Sequence, residues 1–143
     1  MILFCDTSAL MKAYARENSS EHVRHLLDES AQCLVSLITW AEMFAAFSLK
    51  QRTQQITGEQ AAEGIARLKN EWGSFGKTVV DSTLVTDAGD LAQRFGLRAY
   101  DSIQLASAQR AHRQLGRNLL FCCFDKQLNA AATALGVGVA PLG

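Results

Sequence analysis

Short apolar runs alternate with segments of helical periodicity along the whole chain. Ile2 to Cys5 reads as a strand bounded by Asp6, and Thr7 and Ser8 are good N-cap types for a helix over roughly Ala9 to Arg16. Ser20 opens a second helix with Val23, Leu26 and Leu27 on one face, and Cys33 to Leu37 reads as a second strand. Thr39 can cap a helix running to about Arg52, with Glu42 three residues on as in a capping box. Thr57 begins a longer helix carrying Ala61, Ile65, Leu68 and Trp72 at helical spacing. Thr78 to Val85 is ambiguous and contains a short extended piece, whereas Asp87 to Phe95 and Tyr100 to Leu115 read as helices. Leu119 to Phe124 is continuous and apolar, as a central parallel strand should be. Asp125 follows it, then a helix to Leu135 and a short edge strand over Gly138 to Ala140.

Strands alternating with helices predict an α/β fold: a three-layer α/β/α sandwich with a mostly parallel central sheet. No linker, repeat or low-complexity tract interrupts the pattern, so residues 1–143 are expected to form a single domain. In such sheets ligands bind beyond the carboxyl ends of the strands. Asp6 and Asp125 each follow a buried strand and should both point into that crevice, although they lie far apart in sequence.

Charge narrows the reading. Fourteen Lys and Arg balance fourteen Asp and Glu, so a basic protein that grips nucleic acid by charge alone is not indicated. Nucleic-acid contact would need a local patch, or metal ions that recruit phosphates. Met1 is followed at once by Ile2, Leu3, Phe4 and Cys5 with no basic leader, and the apolar run Leu119 to Phe124 is far too short to span a bilayer. A soluble cytoplasmic protein without membrane contact is expected. Cys5, Cys33, Cys122 and Cys123 all sit in apolar runs without a CxxC partner, which reads as small buried hydrophobes in a reducing compartment. His22 and His25 are three apart in a charged helix and do not have zinc-like spacing.

Four acids stand out, each with a plain structural alternative. Asp6 and Asp125 are placed as helix caps are. Asp101 opens a helix whose next face carries Leu105, Ala108 and His112, and a helix N-terminus favours an ionised carboxylate. Glu42 is more telling, because Trp40, Ala41, Met43, Phe44, Ala45, Ala46 and Phe47 around it are all apolar. A carboxylate in such a run is costly unless it is paired, hydrated or bound to a cation. Asp81, Asp87 and Asp90 lie in a polar stretch and read as ordinary surface or capping acids.

Asp6-Thr7-Ser8-Ala9-Leu10 after an apolar strand, continuing as Met11-Lys12-Ala13-Tyr14, resembles the opening of the PIN domain family, and especially its VapC-like toxins. Ile38-Thr39-Trp40-Ala41-Glu42 is similar to the segment with that family's first helix-borne acid. Leu97 to Ala106, containing Tyr100-Asp101-Ser102-Ile103-Gln104, resembles its most recognisable motif, which carries the third acid. Phe124-Asp125-Lys126-Gln127-Leu128, then an Ala-rich helix and Gly136-Val137-Gly138-Val139, resembles its closing segment with the fourth. The four motifs occur in the expected order over essentially the whole chain. Two departures are visible: Gln104 stands where many relatives carry His, and Cys123 where many carry Thr or Ser. Neither position supplies a metal-binding carboxylate in the family, so the departures bear on polar support around the acids.

The resemblance implies an endoribonuclease that hydrolyses RNA phosphodiester bonds with Mg2+ or Mn2+. Oxygen ligands suit those ions better than zinc. It implies Asp6 and Asp101 as direct metal ligands, and Glu42 and Asp125 as ligands directly or through water, or as groups orienting the attacking water. Ser8, and after it Thr7, would bond a metal-bound water or a phosphate. Arg98 would meet substrate phosphate or form a surface salt bridge, the second being the simpler expectation. A cognate antitoxin protein and a homodimer are implied as partners. The runner-up is a PIN-like module that binds RNA or protein without cutting; it would be signalled by loss of an acid, and all four are present. An aspartate-based phosphotransferase ranks lower, because Asp6-Thr7-Ser8 lacks a second Asp two residues on. A receiver-like domain ranks equally low, since it would want an acid pair near the first strand.

Overall fold

A computed structural model of the chain describes residues 1–142. Five strands and seven helices alternate along it: β1 (Ile2–Cys5), α1 (Thr7–Tyr14), α2 (Ser20–Glu29), β2 (Gln32–Ser36), α3 (Thr39–Arg52), α4 (Gly58–Glu71), β3 (Gly76–Thr78), α5 (Ser82–Phe95), α6 (Ala99–Leu115), β4 (Leu119–Cys122), α7 (Lys126–Ala134) and β5 (Gly138–Val139). Single 3-10 turns over Trp72–Ser74 and Gly116–Asn118 lead into β3 and β4.

The strands form one sheet in the order β3-β2-β1-β4-β5, and every pairing is parallel. The short edge strand β5 joins in parallel too, so the sheet is more uniform than the mostly parallel one the pattern predicts. Successive strand residues face opposite sides. In β1, Leu3 and Cys5 enter one core and Phe4 the other; in β4, Cys122 enters the first, and Leu119 and Phe121 the second. The first core packs α1, α2, α3 and α4 on one face through Leu10, Met11, Val23, Met43, Phe47 and Leu68. The second packs α5, α6 and α7 on the other face through Leu84, Leu91, Leu105, Ala108, Leu128 and Ala132. Covering both faces with helices explains the continuous apolar strands.

Several boundaries differ from the sequence reading for identifiable reasons. Thr7 and Ser8 do not cap α1; they are its first residues, and Asp6 is the N-cap, accepting the Ala9 N–H at 2.9 Å. The Thr39–Glu42 capping box is absent. The residue before α3 is Ile38, already helical and without a side-chain cap, because both polar side chains turn to partners outside the helix. The capping box occurs instead at α4, between Thr57 and Gln60. The ambiguous stretch resolves into β3, a loop, and α5 starting at Ser82, five residues ahead of the expected Asp87. There Asp81 is the cap, accepting the Leu84 N–H at 2.9 Å, and it pairs with Arg110. β4 stops at Cys122, two residues short of Phe124.

All four cysteines are buried free thiols. His25 is exposed and pairs with Glu29, while His22 meets the Pro141 carbonyl. No helix among the described residues is long and apolar enough to cross a membrane.

Candidate active site

The strand order reverses beside β1: the chain builds outward through β2 and β3, then returns to the other side of β1 with β4 and β5. That makes the carboxyl end of the β1–β4 pair the switch point, where adjoining loops diverge and leave a crevice. Asp6 leaves β1 at this point, and its backbone N–H bonds to the Cys122 carbonyl at the end of β4 at 3.1 Å. Asp125 follows three residues beyond β4 and caps α7, accepting the Leu128 N–H at 2.9 Å.

Asp6 is 5% exposed. Its Oδ1 accepts from the Ala9 N–H at 2.9 Å and from the Ser8 hydroxyl at 2.8 Å. Burial pushes its carboxyl up to about 6, although the Ala9, Cys123 and Ser8 donors favour the charged form; the negative charge of Asp101 pushes it further. The capping geometry orients a desolvated carboxylate at this position.

Asp101 lies in the first turn of α6 and is partly buried. The Arg98 Nε donates to its Oδ2 at 3.1 Å, while the Arg98 guanidinium also lies over the Tyr100 ring at 4.8 Å. The Asp101 bond raises the Arg98 pKa, with smaller contributions from Tyr100 and Asp125. Arg98 is thus a surface salt-bridge residue, and its partner is one of the candidate acids. The charge of Asp101 reaches Asp6, and that of Asp125 reaches Arg98 and Cys123.

Glu42 reaches the same end of the sheet by a different route. Its Oε1 accepts from the Thr7 hydroxyl at 2.8 Å and from the Gln104 side-chain N–H at 2.6 Å. Gln104 Nε2 also lies 3.0 Å from Thr39 Oγ1 and 3.2 Å from Thr7 Oγ1. The hydroxyls of Thr7 and Ser8, expected to face a water or phosphate, are thus donors to the acids themselves. Among the described residues, no three acidic, His or Cys side chains stand close enough together to form a ready-made metal cage.

The two departures from the family pattern supply polar support themselves. Gln104 is 2% exposed and joins α1, α3 and α6. Cys123 Sγ accepts the Asp125 N–H at 3.3 Å, and burial, then Asp6, push its thiol well above the ordinary range. The sequence presents Thr39 as a helix cap and Gln104 as a departure bearing on polar support; their bond to each other and the bond of Gln104 to Glu42 appear only in the structure. The available signal was an amide three residues after Asp101, flanked by Ile103, Leu105 and Ala106.

The structure sets Asp6 just after β1, Asp125 between β4 and α7, and Glu42 and Asp101 in the first turns of α3 and α6. The chain matches the PIN domain over residues 3–133. It belongs to the PIN domain family. This PIN domain is 31% identical over 137 residues to ribonuclease VapC46 of Mycobacterium tuberculosis, covering 96% of this chain and 95% of that protein. It is 27% identical over 140 residues to ribonuclease VapC49 of the same organism, covering 98% and 95% of the two chains. Its fold is similar to the crystal structure of FitAcB from Neisseria gonorrhoeae, with a TM-score of 0.67, 20% identity, and 99% and 98% of the chains covered. A toxin–antitoxin complex from Klebsiella pneumoniae also matches, with a TM-score of 0.66, 21% identity, and 100% and 98% coverage.

Proposed function

We propose that this PIN domain is a Mg2+- or Mn2+-dependent endoribonuclease, and that it acts in the cytoplasm as the toxin of a toxin–antitoxin pair. The observation that carries the reading is Asp6: a desolvated carboxylate at the switch point that feels the charge of Asp101. Burying a carboxylate within reach of another acid's charge is costly without a cation. The relatives named ribonucleases support the reaction class. In this reading residues 1–143 work as one domain and pair as a homodimer, as the resemblance implies.

The donor set fits a hard divalent cation, because the candidate ligands are carboxylate oxygens. Asp6 and Asp101 would hold it, with Glu42 and Asp125 binding directly or through water. When bound, the cation supplies Lewis acidity toward a phosphate oxygen and lowers the pKa of water. The chain's own residues do the positioning. Ser8 and the Ala9 N–H fix Asp6 Oδ1, Thr7 and Gln104 fix Glu42 Oε1, and Arg98 contacts Asp101 at the crevice edge. Unpaired RNA suits an open crevice, since single strands expose a flexible backbone and their base edges. A basic antitoxin segment, above all an Arg, fits the same acids through bidentate pairing.

The test is cleavage of single-stranded RNA by purified, antitoxin-free protein with Mn2+, with excess chelator, and with Asp101→Asn. Cutting is expected with Mn2+ alone, and cutting that persists in chelator would overturn the metal dependence. A companion melting experiment removes substrate from the question. Mn2+ should raise the melting temperature of wild type and of the surface control Asp90→Asn, by preferential binding to the folded state. Asp6→Asn and Asp101→Asn should lose most of that rise. Equal shifts in all four proteins would dissolve the proposed site.

A further inference from the structure

We infer that Gln104 is the positioning residue of Glu42: its buried amide fixes the direction of the Glu42 carboxylate at the crevice. The inference rests on the ribonuclease reading for its consequence in turnover, but the contact itself is independent of that reading.

The geometry assigns the amide's orientation. Gln104 Nε2 lies 2.6 Å from Glu42 Oε1. The reverse orientation would set an amide oxygen against a carboxylate oxygen, so the nitrogen must face Glu42. An N–H donated to a carboxylate is stronger than one donated to a neutral group. The second N–H is directed to hydroxyls, with Thr39 Oγ1 at 3.0 Å and Thr7 Oγ1 at 3.2 Å. Thr7 in turn donates to the same Glu42 Oε1 at 2.8 Å. Two donors from two other helices therefore converge on one oxygen of Glu42, and Oε2 is the oxygen turned to any other partner.

A packing role alone does not account for the residue. The Gln104 Oε1 is buried without a hydrogen-bond partner. An apolar side chain of the same length would avoid that desolvation cost. Neighbouring Leu105 and Ala108 on α6 are fully buried, whereas the Gln104 amide meets Glu42, Thr39 and Thr7. What Gln104 adds is a donor pair, and its strongest use is on Glu42. Carboxylates that act at a cation are themselves held by hydrogen bonds, and loss of such partners typically lowers metal affinity or activity by about ten- to a hundredfold.

The test compares wild type with Gln104→Met, Glu42→Ala and the double variant. The direct readout is the side-chain amide of Gln104 in proton–nitrogen NMR without metal. One amide proton is expected far downfield and protected from exchange in wild type, and shifted toward ordinary amide values in Glu42→Ala. Gln104→Met is expected to keep the fold with a modestly lower melting temperature, since it strands the buried Thr39 hydroxyl, while Mn2+ affinity, read by calorimetry, and kcat fall about ten- to a hundredfold. On the Glu42→Ala background the Gln104→Met change should have no further effect on either, which assigns the action to Glu42. An ordinary amide signal in wild type overturns the inference. So does a Gln104→Met effect that survives in the Glu42→Ala background, or one that tracks a lost fold. A wild type that neither binds Mn2+ nor cuts RNA overturns the proposed function, and the amide signal then still decides whether Gln104 holds Glu42.

Discussion

The Thr7 hydroxyl donates to Glu42 Oε1 at 2.8 Å, joining the first turns of α1 and α3 across 35 residues of sequence. Thr7→Val removes the donor and keeps the branched shape. Melting should change little, since one partly exposed hydrogen bond contributes only about 1 kcal/mol net. RNA cleavage should fall about tenfold or more, as for other partners that orient a metal-site carboxylate. Unchanged turnover in Thr7→Val would show that Glu42 does not need this restraint.

Asp6 predicts a definite pH dependence. Its folded-state pKa is pushed up from 3.8 to about 6, chiefly by burial. Between those values the folded chain keeps a proton that the unfolded chain has released. The stability linked to this group is fully present below about pH 4 and is lost as pH rises through about 6. The full effect is at most about 3 kcal/mol. Asn at position 6 can accept the same cap hydrogen bond and does not titrate. Metal-free Asp6→Asn should therefore be more stable than wild type at pH 7.5, with the gap closing toward pH 4. Denaturant titrations at several pH values measure it; a gap that widens on acidification reverses the assignment.

How much of this was legible in advance depended on whether a residue's partner was local. The strands were readable because both sheet faces are covered, so Leu3, Phe4 and Cys5 are all buried and the run is unbroken. Asp6 and Asp125 were readable because each stands just past a strand, and the switch point is a property of topology. Thr39 and Glu42 have the local spacing of a capping box, while the true partners of Glu42, Thr7 and Gln104, are 35 and 62 residues away. In the sequence Gln104 stands out only as a departure from a family pattern. Its bonds depend on α6 bringing Gln104 to the first turns of α1 and α3, which no local signal encodes.

Packing between helices supplies a stability prediction remote from the acids. Gly64 lies in α4 against α1 and α3, and a Cβ there would meet Phe47 Cε1 at 2.6 Å and the Tyr14 carbonyl oxygen at 2.9 Å. Ala ordinarily favours a helix over Gly by roughly 1 kcal/mol. Here the overlap with a buried ring and with backbone outweighs that gain, since overpacking typically costs about 1–3 kcal/mol. Gly64→Ala should lower the melting temperature, whereas Gly89→Ala in α5, whose Cβ would meet nothing within 4 Å, should hold or raise it. Equal responses would show that α4 shifts to accommodate the methyl.

Arg98 decides between competition and assistance at Asp101. Its Nε donates to Asp101 Oδ2 at 3.1 Å, with the Arg side chain 68% exposed and the Asp 19%. Ion pairs this exposed contribute little to stability, so Arg98→Gln should melt within about 1 kcal/mol of wild type. If Asp101 is a metal ligand, the guanidinium and a cation attract the same carboxylate. Removing Arg98 should then tighten Mn2+ binding, and a pair of at most about 1 kcal/mol limits the gain to about fivefold. The gain should shrink as salt is raised, because screening weakens the exposed guanidinium more than a buried ligand. Calorimetric Mn2+ titrations of wild type and Arg98→Gln at two ionic strengths measure both effects. Weaker Mn2+ binding in Arg98→Gln would reverse the assignment: Arg98 would then hold Asp101 in a metal-ready direction, and its bond would belong with those that Thr7 and Gln104 make to Glu42.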